Sequence, residues 1–214
     1  MRRGIFILAL LALAGLVGMS GWLGGTPSLG QPPKPFLIVV DAGHGGEDTG
    51  AIGLAGLIEK NLVLDIVRLI QIKALNEPKL KVWLTRQEDK YIAPKDRIAL
   101  ANEQKADLYI SVHANYASDP FVRGIETLIH ESASATSKAW AQVLQKKLIE
   151  ETKAKSRGVK SAPLYLRDAQ MPAALIEVGF VTNPEEANNL QQLTYQTAIA
   201  EAILAAVKEF LKIE

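Results

Sequence analysis

Apolar residues fall along this chain in short continuous runs and helical stripes rather than in strict alternation. Phe36-Leu37-Ile38-Val39-Val40 is uninterrupted and ends at Asp41, which predicts a strand buried on both faces. A glycine-rich loop follows from Gly43 to Gly56, and from Ile58 to Leu75 the residues Leu62, Ile66, Leu69 and Ile70 recur at helical spacing. Lys81–Thr85 and Leu108–Val112 predict two more strands, separated by a short helix over Pro94–Glu103 with proline in its first turn. Gly124–His130 predicts a fourth strand. Thr136–Glu151 reads as an amphipathic helix with Trp140, Val143, Leu144 and Leu148 on one stripe. A short strand is expected at Pro163–Leu166, a buried one at Ala173–Val178, and two closing helices at Pro184–Gln191 and Tyr195–Lys212. This alternation predicts a single α/β domain with a mostly parallel twisted sheet flanked by helices on both faces. In such sheets chemistry collects beyond the carboxyl ends of the strands.

The first 35 residues break the pattern. Met1-Arg2-Arg3 precedes an apolar run from Gly4 to Met19, the form of a signal peptide, with Gly18 and Ser20 as small residues before a cut. No charge occurs between Gly4 and Pro33, so the same stretch also reads as an uncleaved anchor, since a membrane span needs roughly 20 apolar residues. The expected organisation is therefore a signal peptide or N-terminal membrane anchor over residues 1–20, a flexible Gly/Pro/Ser/Thr linker over 21–35, and a folded domain over 36–214. Either reading of the first segment exports the domain to the periplasm or cell envelope.

Composition narrows the chemistry. The formal net charge is +1, and without Arg2 and Arg3 the remaining 22 bases face 23 acids, giving −1. No basic face is evident, which argues against nucleic acid as a partner. Cysteine is absent, which excludes disulfides, thiolate metal sites, a cysteine nucleophile and a lipid anchor on cysteine.

Two of the three histidines follow predicted strands directly: His44 in Asp41-Ala42-Gly43-His44-Gly45-Gly46, and His113 in Ser111-Val112-His113-Ala114-Asn115. If those strands are neighbours, both imidazoles meet at one sheet edge. With Glu59, at the start of the first long helix, they would offer zinc two nitrogens and a carboxylate, leaving a fourth position for water. These ligands are dispersed rather than set in a helical His-Glu-x-x-His pattern, so spacing alone leaves zinc as one reading among several. Glu177 lies inside Ala174-Leu175-Ile176-Glu177-Val178-Gly179-Phe180, where an unpaired carboxylate costs several kcal/mol to bury. A metal-bound water would serve as its partner, and so would a salt bridge to Arg167 or Lys160.

Taken in order, several segments resemble the zinc-dependent N-acetylmuramoyl-L-alanine amidases of bacteria. They are Val40-Asp41-Ala42-Gly43-His44-Gly45-Gly46 with Asp48 and Gly50-Ala51; Glu59-Lys60-Asn61; Thr85-Arg86 with Asp89, Arg97 and Ala101-Asn102; Ser111-Val112-His113-Ala114-Asn115; Gly124-Ile125-Glu126-Thr127; Met171-Pro172-Ala173; and Glu177-Val178-Gly179-Phe180-Val181-Thr182-Asn183. The resemblance runs from about Leu37 to Lys212. It implies a fold of the zinc exopeptidase or phosphorylase/hydrolase-like kind. It also implies one zinc ion per chain on His44, Glu59 and His113, with Glu177 as the catalytic glutamate. The implied substrate is peptidoglycan, cut between the lactyl group of N-acetylmuramic acid and the L-alanine of the stem peptide. Nothing in the sequence demands more than a monomer.

Other positions carry structural expectations. Arg86 and Arg97 are expected to hold loops or helices through carboxylate pairs. Asp41 either fixes an imidazole through its second nitrogen or stabilises the turn. Asn115 orients a loop or caps a turn, and Asn183 caps the helix from Pro184. His130, at a strand end, reads as a solvated side chain rather than a ligand. Two other readings compete with the amidase: a zinc exopeptidase of related fold, and a non-catalytic wall-binding module.

Overall fold

The computed structural model describes residues 34–213. The expected signal peptide or anchor, and all but the last two residues of the expected linker, lie outside the described residues. Among the described residues no helix is long and apolar enough to cross a membrane.

Six strands form one sheet in the order β2-β1-β3-β6-β4-β5. The apolar runs become β1 (Phe36–Ala42), β3 (Leu108–Asn115) and β6 (Ala173–Phe180) at its centre, with β2 (Leu80–Leu84) on one edge. β4 (Ile125–His130) and β5 (Ser156–Ala162) complete the other side. Neighbours are parallel except β4, which runs antiparallel to β6. The α/β class and mostly parallel sheet match expectation, and one strand corrects it. The segment expected as a strand at Pro163–Leu166 is instead the approach to a 3-10 turn, Tyr165–Asp168, and the strand lies earlier, at Ser156–Ala162.

Helices cover both faces. On one face α1 (Glu59–Ala74), α3 (Ala135–Thr152) and α5 (Leu193–Leu211) bury their stripes against Ile38, Val40, Ile110, Val112, Ala174 and Ile176. Trp140 of α3 is fully buried there and packs on Phe210 of α5. The largest favourable term in folding is this removal of apolar surface from water. The opposite face is more thinly covered. There, α2 (Pro94–Glu103) and the 3-10 turn bring Ile98, Ala101, Leu166 and Met171 onto Val39, Tyr109, Ala173 and Leu175. Strand residues alternate between faces, so Asp41, Ser111, His113 and Glu177 share this second, thinly covered side.

Local signals fix the helix ends. Ser134 caps α3 by accepting from the Ser137 N–H. As expected, Asn183 caps α4 (Pro184–Leu190), accepting from the Glu186 N–H at 3.0 Å, with proline in the first turn.

Candidate active site

His44 leaves the end of β1, and its backbone lies in the left-handed region at φ 59°. A non-glycine residue held there is strained, and such strain persists only where its surroundings impose it. Here two arginines impose it. Arg86 donates to the carbonyls of Ala42 (3.0 Å), Gly43 (2.7 Å) and Lys60 (2.8 Å). Arg97 donates to the carbonyl of His44 at 2.8 Å and to the Asp41 carboxylate at 3.0 Å. Carboxylate pairing was expected of both arginines; Arg97 pairs with Asp41, whereas Arg86 binds backbone carbonyls, sharing that of Ala42 with Arg97.

His113 comes from β3, the neighbour of β1, and reaches the same edge. Glu59, the first residue of α1, folds back under both rings. Its Oε1 lies 3.0 Å from His44 Nε2 and 3.1 Å from His113 Nδ1. The same carboxylate accepts from the backbone N–H groups of Ala114 (3.0 Å) and Ala51 (2.8 Å). Its placement in the first helical turn adds a favourable interaction with the helix dipole. Burial alone would raise the Glu59 pKa, but hydrogen bonds from His113 and His44 outweigh it and hold the carboxyl below its ordinary range.

The three side chains offer ligand atoms that all lie within 4.8 Å of one another, so they could hold a metal ion. The loop backbone is built around them. A Cβ on Gly43 would sit 2.3 Å from the His113 ring, and one on Gly50 would meet Glu59 Oε2 at 2.5 Å and the His44 ring at 2.7 Å. Only residues without a side chain allow this approach.

Glu177 is the register partner of His113 across β3 and β6. Its Oε2 is buried and has no hydrogen-bond partner. The salt bridges considered for it do not form: Lys160 pairs with Glu126 instead. Burial, with the negative charges of Glu59 and Glu126 behind it, pushes the Glu177 carboxyl well above its usual range. A cation on the neighbouring donors would offset that penalty, so the orphaned oxygen fits a metal-centred site.

The residue that fixes an imidazole is Asp48. Its Oδ2 lies 2.8 Å from His44 Nδ1, and its Oδ1 accepts from the Gly50 N–H at 3.0 Å. Burial lowers the His44 pKa, but Glu59 and Asp48 together raise it above its ordinary value. Asp41, the residue considered for this role, touches no imidazole. It is fully buried and accepts from Thr85, Arg97 and Ser111. The signal for Asp48 was its place four residues after His44 in a glycine loop that must turn back on itself. Asn115 Oδ1 accepts from the Tyr116 N–H at 2.7 Å, and its Nδ2 donates to Glu126 of β4 at 3.2 Å. His130 stays away from the cluster. Because β4 is antiparallel, its carboxyl end lies at the far edge of the sheet, where His130 pairs with Ser132 at 2.8 Å.

The family model described as N-acetylmuramoyl-L-alanine amidase matches residues 38–209. The chain is similar to the N-acetylmuramoyl-L-alanine amidase LytC of Bacillus subtilis (strain 168), at 36% identity over 82% of this chain, but it spans only 35% of that protein's length. It is also similar to the uncharacterized protein YqiI of the same organism, at 32% identity, covering 91% of this chain and 94% of that one. Among solved structures, the N-acetylmuramoyl-L-alanine amidase of Clostridium difficile 630 superposes with a TM-score of 0.81 at 34% identity, covering 85% of this chain and 99% of that chain.

Proposed function

The chain belongs to the N-acetylmuramoyl-L-alanine amidase family, and from that premise we propose that it is an exported, zinc-dependent peptidoglycan hydrolase. It cuts the amide between the lactyl group of N-acetylmuramic acid and the L-alanine of the stem peptide. The observation that carries this reading is the buried, unpartnered Oε2 of Glu177 in register with His113, beside His44 and Glu59.

His44, Glu59 and His113 would hold one zinc ion, a donor set of two imidazoles and a carboxylate that suits hydrolytic zinc sites. When bound, the metal polarises the scissile carbonyl and makes water acidic enough to attack at neutral pH. Glu177 Oε2 takes the proton of the attacking water and returns it to the leaving nitrogen of L-alanine. Asp48 keeps the His44 ring turned toward the cluster. Residues 1–20, as signal peptide or membrane anchor, carry the domain out of the cytoplasm.

The test uses the full chain loaded with zinc and incubated with purified peptidoglycan, beside a Glu177→Ala control, with products identified by mass spectrometry. Free stem peptides that begin with L-alanine, and glycan strands with intact lactyl groups, are expected only from the unaltered protein. Peptides shortened within the stem would instead mean an exopeptidase. No cleavage by folded, zinc-loaded protein would mean a wall-binding module and would end the catalytic reading.

A further inference from the structure

The carboxylate on the other side of Glu177 organises a second charged group. Glu126 of β4 is the register partner of Glu177 across the antiparallel β4–β6 pair and is only 6% exposed. Its Oε1 accepts from Asn115, as above. Its Oε2 accepts both from Arg157 Nε, at 2.7 Å, and from Lys160 Nζ. The Arg157 guanidinium also lies 4.9 Å from the centre of the Phe180 ring, which holds its plane in place.

One carboxylate thus fixes two cations from the edge strand β5. A single cation would neutralise Glu126, so the trio is left with one net positive charge. It is also left with unused donors. Among the described residues neither terminal nitrogen of Arg157 has a protein partner, and Lys160 engages one acceptor with its three N–H bonds. Both side chains reach solvent, Arg157 at 27% and Lys160 at 43% exposure. Glu177 and Glu59 lie on the inner side of this trio. An oriented cationic fork with free donors at its open side is what a carboxylate needs for recognition.

We propose that Arg157 and Lys160 form a subsite for a carboxylate carried by the peptide part of the substrate, so that the chain selects acidic peptides near the bond it cuts. This rests on the hydrolysis proposed at Glu177. Adjacent strands lie about 4.8 Å apart, so β5 is about 10 Å from β6, and an extended peptide covers about 3.3 Å per residue. The recognised carboxylate therefore belongs to roughly the first three residues from the scissile bond.

Two muramoyl peptides differing only in whether that side chain or α-carboxylate is free or a carboxamide provide the test, with full-length zinc-loaded protein. The free carboxylate should raise kcat/KM about tenfold, through KM, and the preference should shrink as salt is added. Lys160→Met, which leaves the Arg157–Glu126 pair in place, should cut the preference to about twofold, and Lys160→Arg should restore it. Calorimetric binding of the same two peptides provides a readout independent of turnover. If neither peptide is cut, the hydrolytic reading fails while the binding difference still decides the subsite. Equal kcat/KM and equal binding of the two peptides by the unaltered protein would overturn it, and so would a preference untouched by both Lys160→Met and Arg157→Met.

Discussion

Glu177 stands directly opposite His113 across the parallel β3–β6 ladder. Paired residues in a ladder point to the same face, with strands about 4.8 Å apart. The register of backbone hydrogen bonds, rather than a loop, therefore sets the separation of the proposed catalytic carboxylate from a proposed ligand. Glu126 continues the row on the other side of Glu177. The remaining two donors are less directly placed. His44 depends on a strained loop tied down by Arg86 and Arg97, and Glu59 depends on the first turn of α1 folding back beneath it.

The role of Glu177 is separable from folding and from metal binding. Glu177→Gln keeps the shape and removes the proton shuttle, so kcat should fall by about 10²- to 10⁴-fold with zinc content unchanged by elemental analysis. Stability should move the other way. The Glu177 pKa is raised in the fold by burial and then by Glu59 and Glu126. In chelator-treated protein its ionisation therefore costs stability as pH climbs from the ordinary value of 4.5 toward the raised one. Glutamine cannot ionise, so at pH 7 the chelated variant should unfold at the same urea concentration as the unaltered chain or a higher one. A lower midpoint would mean that Glu177 holds the fold together.

Asp48 should govern metal affinity rather than chemistry. It touches His44 and the Gly50 N–H but none of the groups assigned to proton transfer. Loss of a carboxylate that orients a ligating imidazole costs about 10- to 100-fold in metal affinity. Asp48→Ala should show that loss in a chelator competition, and excess zinc should restore most of the turnover. A variant that binds zinc normally yet stays inactive would place Asp48 in the reaction itself.

The central strands were legible because a sheet buried on both faces demands unbroken apolar runs, and each run carried a polar residue at or near its carboxyl end: Asp41, His113, Glu177. Edge strand β5 was not legible. Ser156-Arg157-Gly158-Val159-Lys160-Ser161-Ala162 holds one β-branched apolar residue, and Gly158 sits at φ 78°. Edge strands favour charge and irregularity, so nothing in the run announces pairing. Strand direction was hidden for the same kind of reason. β4 carries a mixed pattern compatible with either orientation, and only its antiparallel pairing sends His130 to the far edge while bringing Glu126 beside Glu177. Asp41 and Asp48 are both close to His44 in sequence. Which one reaches the ring depends on the turn at Gly45 and Gly46, where both backbones adopt positive φ.

Asp41 gives the fold an acid limit. Burial alone would raise its pKa, but the Arg97 guanidinium and the hydroxyls of Ser111 and Thr85 outweigh burial and hold it below its ordinary value of 3.8. A carboxyl depressed in the folded state contributes stability that is present above that ordinary value and disappears as pH falls through the lower, folded one. Urea unfolding followed from pH 7 to pH 2 should therefore show stability dropping below about pH 4. Asp41→Asn should cost about 3 kcal/mol at pH 7, because Arg97 remains buried without its counter-charge. Its stability should also fall less steeply in acid. Parallel acid profiles for the two proteins would assign the acid limit to other carboxyls.

The glycines of the loop separate close approach from mere turn geometry. Gly43 has an ordinary φ, yet a Cβ there would lie 2.3 to 2.6 Å from three atoms of the His113 ring. Gly56 has φ 75°, yet a Cβ there would meet nothing within 4 Å. The two should respond oppositely to alanine. Gly56→Ala should cost about 1 to 2 kcal/mol of stability for the left-handed backbone and leave zinc affinity and turnover as they were. Gly43→Ala can keep its backbone only by displacing His113, so it should lose zinc affinity and activity together by at least about tenfold, with a smaller change in urea midpoint than the metal loss would suggest. The two measurements, chelator competition and urea unfolding on both variants, distinguish a loop that merely turns from one shaped around a metal. A Gly43→Ala protein that bound zinc as tightly as the unaltered chain would show that His113 has room to move and that the cradle is looser than its distances imply.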